Sequence, residues 1–389
     1  MAGALQEIRI VDLTQHLAGP FCTMLLADMG AEVIKVEPPW GDASRSSPQY
    51  PMVKGQNVYF MFVNRNKRSV ALDLKSEKGV EVLKRIVESS DVVVENFRPG
   101  VMDKLGLGYD SLKQVNPRII YASISGFGQT GPYVRRPSFD IVAQAMSGWM
   151  WLNSREPRSL NSGPSFVPSC LAGSPGDTVP GVFCALSILA ALLHRNITGR
   201  GQRIDVAQTD SLMTLEGLAL TRYLFTGETF DRGERASIHG IYEANDGYIV
   251  VRAVGDNDVQ VLADNTGIEI GDLRPSSEDL KEWFRNRSKA EIVTLLGEKI
   301  PCAPVLTDEE LVDDPNVVAR EMILEQSHPL DFTYRAVATG IKFSETTVSM
   351  YTLPPELGAD TLDIVRGLSY SDEDVENMIK CKAIFVPRK

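Results

Sequence analysis

Histidine is scarce in this sequence, with four in 389 residues, at His16, His194, His239 and His328. None stands at a ligand-like spacing from another, so no metal site is expected. The five cysteines, Cys22, Cys170, Cys184, Cys302 and Cys381, form no C-x-x-C pair, and three lie in apolar surroundings typical of reduced, buried thiols. That pattern points to a cytoplasmic protein. Positive charge is in short supply too: the formal net charge is −11, which argues against nucleic acid as a partner because phosphate binding needs a basic footprint. Cations matter here only where they gather locally.

Long hydrophobic runs are missing. The uncharged block Val182–Leu193 is 12 residues long, whereas a bilayer span needs about 20, and the first ten residues lack the basic and apolar regions of a signal peptide. No membrane anchor is expected. Repeats and low-complexity tracts are absent as well. What remains, 43% hydrophobic and 23% charged residues, is ordinary for a soluble enzyme, and the length favours two domains.

The chain is organised around Gly173-Ser-Pro-Gly-Asp-Thr-Val-Pro-Gly181, which runs into that apolar block. Asp177 is thereby set among glycines at the mouth of a buried helix, with Pro180 in its first turn. Two roles are open to it. As an N-cap it accepts backbone N–H bonds and complements the helix dipole, worth roughly 1 kcal/mol. As a nucleophile it sits at the bottom of a glycine-walled cleft that a large substrate can approach closely.

Taken in order, Ile8–Leu13 reads as a strand, Thr14–Pro20 as a turn, Phe21–Met29 as a helix stopped by Gly30, and Ala31–Glu37 as a second strand. This unit starts a parallel, doubly wound sheet, whose ligands sit beyond the carboxyl ends of the strands. Further strands at Asn66–Lys75, Asp91–Asn96 and Arg118–Ser125 deliver Lys75, Asn96, Phe97, Arg98 and Lys104 toward one rim, a candidate anion site. Gly126-Phe-Gly-Gln-Thr-Gly131 matches G-x-G-x-x-G but meets Pro132 where the dinucleotide fingerprint needs a helix. Its glycines instead allow close backbone approach. Phe139–Gly148 reads as a helix capped by Asp140, and Ala207–Thr226 as one long helix. A smaller α+β domain follows, with a hairpin about Asn245-Asp-Gly247 and short charged helices. Pro301–Val305, Asp308–Val312, Gly340–Ser344 and the helix Asp372–Lys380 read as the chain's return. The expected division is residues 1–226 for the first part of the large domain, 227–325 for the small one and 326–389 for the return.

These motifs together carry a family resemblance. Ala18-Gly-Pro20, Ala31–Glu37, Asn66-Lys-Arg68, Leu72-Asp-Leu-Lys75, Glu95-Asn-Phe-Arg-Pro-Gly100, Ser125-Gly-Phe-Gly128, Gly176-Asp177, Thr198-Gly-Arg-Gly-Gln202, Asp205–Asp210, Ile300–Val305, Asp314-Pro315 and Lys342-Phe-Ser344 follow one another as in the class III CoA-transferases, the CaiB/BaiF family. The chain resembles the formyl-CoA:oxalate and carnitine CoA-transferases of that family. Resemblance implies a coenzyme A thioester as substrate rather than a permanently bound cofactor, a small carboxylic acid as acceptor, and Asp177 as nucleophile. It implies coenzyme A contacts at His16, Leu17, Ala18, Leu72, Asp73, Leu74, Lys75, Asn96, Phe97, Arg98, Lys104, Arg136, Pro137, Ser138 and Phe139. The implied fold is a Rossmann-like α/β domain with an inserted smaller domain, two chains being linked like rings in a homodimer. Departures narrow the reaction. Phe139 stands where the racemase branch has a proton-shuttling His, and Leu17 and Gly233–Gly240 lack the oxalate branch's Gln and glycine run.

Overall fold

The computed structural model describes residues 3–153, 168–229, 238–270 and 277–387. They form two compact units, one of residues 3–153, 168–229 and 322–387, the other of 238–270 and 277–321. Most of the stretch Gly233–Gly240 lies outside the described residues.

The larger unit opens with β1 (Arg9–Asp12), α1 (Ala18–Asp28) and β2 (Glu32–Glu37). A small ribbon of β3 (Met52–Val53) and β4 (Gln56–Asn57) leads to α2 (Val58–Val63), β5 (Lys67–Leu72), α3 (Glu77–Glu88) and β6 (Val92–Glu95). Then come α4 (Val101–Lys104), α5 (Tyr109–Val115), β7 (Ile120–Ser125), α6 (Asp140–Met146) and α7 (Trp149–Leu152). The long α8 (Pro175–Thr198), β8 (Arg203–Ala207), α9 (Gln208–Leu215) and α10 (Gly217–Thr226) follow.

The smaller unit is an antiparallel sheet of β9 (Ile238–Ala244), β10 (Gly247–Ala253) and β11 (Cys302–Val305), in the order β11-β10-β9. It packs with α11 (Asp256–Thr266), α12 (Glu278–Arg285) and α13 (Lys289–Leu296) around Ile249, Val251, Phe284 and Ile292. The expected hairpin forms at Asn245-Asp246, but Cys302–Val305, read as the start of the return, is instead the third strand of this sheet. After α14 (Asp308–Val312) and α15 (Pro315–Ala319), the chain rejoins the larger unit as a hairpin of β12 (Ile323–His328) and β13 (Phe332–Val337), then α16 (Thr361–Arg366), α17 (Asp372–Lys380) and β14 (Ile384–Phe385).

The main sheet runs β14-β5-β2-β1-β6-β7-β8, all parallel except β14. Its strands bury both faces, as alternation requires: Val11 and Val93 enter one core with Leu83 and Ile86 of α3, whereas Ile10, Val92 and Val94 enter the other with Leu26 of α1 and Ile188 of α8. The helix α3 shows why it forms. Val82, Leu83, Ile86 and Val87 make one buried stripe, and the Ser76 hydroxyl accepts from Gly79 N at 3.0 Å to cap it.

Three local readings change. The helix α8 starts at Pro175, so Pro180 lies inside it, and its 24 residues are long and apolar enough to cross a membrane. Its inner face, including Cys184, Ala185 and Ile188, is nonetheless buried in the second core against α1 and the sheet. The segment Ala207–Thr226 is two helices, broken at Glu216. Asp140 does not cap α6, since its Oδ1 accepts from Gly176 N at 2.7 Å and from Gln144 Nε2 at 3.0 Å.

Candidate active site

At the carboxyl ends of β1, β6, β7 and β8 a cleft of about 550 Å³ opens, lined by His16, Leu17, Ala18, Asn96, Ser138, Phe139 and Asp177 among others. Seven of the sequence-predicted positions therefore meet in one place. Parallel strands put them there, because every such strand ends on the same edge of the sheet.

Asp177 is not an N-cap. Ser174, held at φ 54°, takes that position, and Asp177 stands in the first turn of α8 with its N–H donated to Ser174 O. Its carboxylate is tied to another strand end: Gln208 Nε2, immediately after β8, donates to Oδ1 at 2.6 Å. Burial, then the neighbouring Asp140 charge, push the Asp177 carboxyl group up to about 7, against the pull of the Gln208 bond. The close approach of α6 depends on Gly176, where a Cβ would lie 2.7 Å from Asp140 O. Glycine beside Asp177 thus admits a neighbouring helix as well as a cleft.

The turn carrying His16 is clamped from several directions. His16 itself is left-handed, at φ 64°, a conformation that L-residues adopt only under constraint. Asn96 accepts from Gln15 N at 2.8 Å and donates to Gln15 O at 2.7 Å, so both ends of its amide hold one residue's backbone. Beneath the turn, Lys35 Nζ donates to Thr14 O at 3.0 Å and pairs with Asp42 at 2.8 Å, both side chains fully buried. Asp12 accepts from Thr14 N and pairs with buried Lys67 at 2.9 Å; burial alone would raise its carboxyl group, but Lys67 and Lys35 hold it well below the usual range. Sequence reading missed this network. Its only signal was charge at alternate positions of strands that read as buried.

The remaining predicted positions lie outside the cleft. Leu72 is fully buried in the first core, and Leu74 packs against that core. Asp73 accepts from Lys75 N through Oδ1, and Lys75 Nζ lies 5.8 Å from the centre of the exposed Trp40 ring. Phe97 packs on the first core, with its N–H donated to Glu95 at 2.9 Å. Arg98 borders a small cavity of about 30 Å³ shared with Glu95 and Arg203. Lys104, Arg136 and Pro137 are exposed, the Arg136 guanidinium lying 3.7 Å over Tyr133. By sheet order, the ends of β5 and β6 are three strands apart, about 14 Å at the usual strand spacing. Lys75 and Arg98 are therefore spread along an edge rather than gathered at a point.

The glycine-rich loop after β7 opens no helix. Gly126 packs against Ser138, on which a Cβ would intrude to 2.2 Å, and its carbonyl accepts from Thr209 N at 3.2 Å. It is a tight junction in the cleft wall, not a nucleotide fingerprint.

A parallel sheet covered on both faces, with a half-buried carboxylate in a cleft at its carboxyl edge, defines the class as an α/β enzyme. Comparisons narrow the class. The family model for CoA-transferase family III matches residues 5–361. The chain is 37% identical over 371 residues to a succinyl-CoA:mesaconate CoA-transferase of Haloarcula hispanica, covering 89% of this chain and 92% of that one. It is 33% identical to a formyl-CoA:oxalate CoA-transferase of Streptomyces coelicolor, covering 96% and 97%. The crystal structure of a CaiB/BaiF family protein from Brucella suis matches with a TM-score of 0.82 and 31% identity, over 95% of this chain and all of that one. The chain belongs to the family III CoA-transferases.

Proposed function

We propose that the protein moves coenzyme A from an acyl-CoA donor to a small carboxylic acid, with Asp177 as the nucleophile. The observation that carries this reading is a half-buried carboxylate in the cleft, held by Gln208 and poised to ionise near neutrality. An Asp177 carboxylate oxygen attacks the thioester carbonyl, and coenzyme A leaves as thiolate, giving a mixed anhydride. The thiolate then attacks the Asp177 carbonyl carbon, freeing the donor acid and forming an aspartyl thioester. The acceptor carboxylate reverses both steps, leaving as its own thioester and restoring Asp177. No water is consumed, so the energy of the thioester is kept.

Coenzyme A would lie along the carboxyl edge, with His16–Ala18, Asn96–Arg98 and Arg136–Phe139 at one stretch and Leu72–Lys75 at another, Lys104 beside them. Lys75, Arg98, Lys104 and Arg136 supply the local cations that its phosphates need on an acidic protein. Leu72 takes part through its backbone, since its side chain is in the core. Racemisation is disfavoured because exposed Phe139, before Asp140, has no proton to shuttle. The acid exchanged by the relatives is a short carboxylic acid, and succinyl-CoA is the first donor to try. Cys22 and Cys184, both free and buried in one core, support a reducing, cytoplasmic setting.

The test is direct. Replacing Asp177 with Ala should abolish transfer between succinyl-CoA and a panel of acids while leaving coenzyme A affinity within about twofold. Hydroxylamine added to wild-type enzyme and acyl-CoA should modify Asp177, as read by peptide mass spectrometry. Transfer by the Ala variant at near wild-type rate would exclude Asp177 as nucleophile.

A further inference from the structure

A second chamber, of about 590 Å³, adjoins the first. The two share Leu17, Tyr50, Tyr59 and Ser174 in their walls, with the Tyr50 and Tyr59 rings 4.8 Å apart between them. The Asp177 charge reaches the Tyr59 phenol, helping burial to raise it above its ordinary value. The far wall is the hairpin strand β13, fixed to α2 by Tyr334 Oη donating to Met61 O at 2.7 Å. Val53, Val58, Met61, Phe62, Phe332 and Ala336 make its surface largely apolar. Among the described residues that line it, Arg335 is the one charged side chain, and Glu325 already pairs with it at 2.8 Å.

We propose that this chamber holds the apolar body of one of the two exchanged acids while its carboxyl group is at Asp177. The class is a medium-chain or ring-bearing monocarboxylic acid. A two-carbon acid would leave such a space unfilled, and a second carboxylate would find there only Arg335, exposed to water and already shared with Glu325, so its desolvation would be poorly offset. An apolar body gains instead by leaving water, at roughly 0.8 kcal/mol per buried methylene. Leu17, which lines both chambers, adds an apolar side chain on the nucleophile side as well. This proposal rests on the transfer reading and says which acid that reaction prefers.

The test uses the full-length protein with succinyl-CoA as donor and compares acetate, glutarate, hexanoate and cyclohexylacetate as acceptors. The wild type should favour the two apolar acids over acetate at least tenfold in kcat/KM. Two variants that fill the chamber from different elements, Ala336→Phe and Val53→Trp, should each lower the hexanoate-to-acetate ratio at least tenfold, chiefly through KM. Rates blind to chain length in the wild type, a preference for glutarate over hexanoate, or variants that slow all acids equally would overturn the proposal and leave the transfer reading standing. No transfer to any acid would overturn both.

Discussion

Two residues in the cleft carry charge and position separately, and each can be tested alone. Asp177 ionises near 7 because burial and Asp140 oppose its charge. As a nucleophile it must be ionised, so kcat/KM should rise about tenfold per pH unit below that value and flatten above it. Glu95 is raised to about 7 by burial as well, so Glu95→Gln is the control: the inflection should remain in that variant. A flat profile between about pH 5 and pH 9 would remove Asp177 from the rate equation. Stability runs the opposite way with pH. A carboxyl group raised from 3.8 to about 7 by folding contributes stability that is present below pH 3.8 and lost as pH rises through 7. Asp177→Asn should therefore be more stable than wild type at pH 8, by a few kcal/mol at most, and no more stable at pH 4, as read by urea denaturation. Asn96 is a positioning residue on this geometry, because both ends of its amide are engaged by Gln15. Asn96→Ala should raise KM for acyl-CoA by about tenfold, the equivalent of one lost pair of hydrogen bonds, with a smaller effect on kcat. Equal losses in kcat and kcat/KM would place Asn96 in the chemistry instead.

At the level of elements, α1 and α8 meet closely enough that one glycine decides the spacing. A Cβ on Gly181 would lie 2.7 Å from Ala18 O and 3.2 Å from the Phe21 ring. Gly181→Val should cost roughly 1–3 kcal/mol through overpacking, seen as a lower Tm, and should also reduce activity because Ala18 lines the cleft. An unchanged Tm would mean that the helices can separate freely. The sequence made the strands of the large sheet legible because alternating and wholly apolar runs bounded by turn residues leave little choice, as at Val92–Glu95 and Ile120–Ser125. Its glycines also pointed to a helix start beside a cleft at Asp177, which is where that residue stands. Helix boundaries were harder: Pro180 looked like a first-turn proline, and a reading that started the helix there lost the turn from Pro175 that places Asp177. Gly217 marked the break between α9 and α10 but was read through. The buried pairs Arg65–Asp28 and Lys67–Asp12 were out of reach for a different reason. Their partners are 37 and 55 positions apart, and no local pattern couples them.

At the scale of the whole molecule, two helices of the larger unit expose apolar side chains to solvent. Val182, Leu186, Leu193 and Ile197 form an exposed stripe along α8, while α10 buries none of its residues and exposes Leu218, Leu224 and Phe225, the last at 86%. Exposed apolar patches of this kind mark interfaces, and a second copy of the chain is the partner expected here, as the family resemblance implies. The order of the chain also allows interlocking. The larger unit is made of residues on both sides of the smaller one in sequence, so the polypeptide leaves it after α10 and returns at β12. A partner chain threaded through such an excursion cannot leave without unfolding, and its dimer should then ignore dilution, unlike an ordinary interface governed by mass action. Native mass spectrometry should find a species of twice the 42.8 kDa chain, with monomer absent at nanomolar concentration and appearing only where circular dichroism shows unfolding. The paired variant Leu224→Asp and Phe225→Asp should lower the unfolding midpoint and release monomer only as unfolded chain. A folded monomer in equilibrium with the dimer, in either protein, would refute the interlock and leave the Asp177 chemistry untouched.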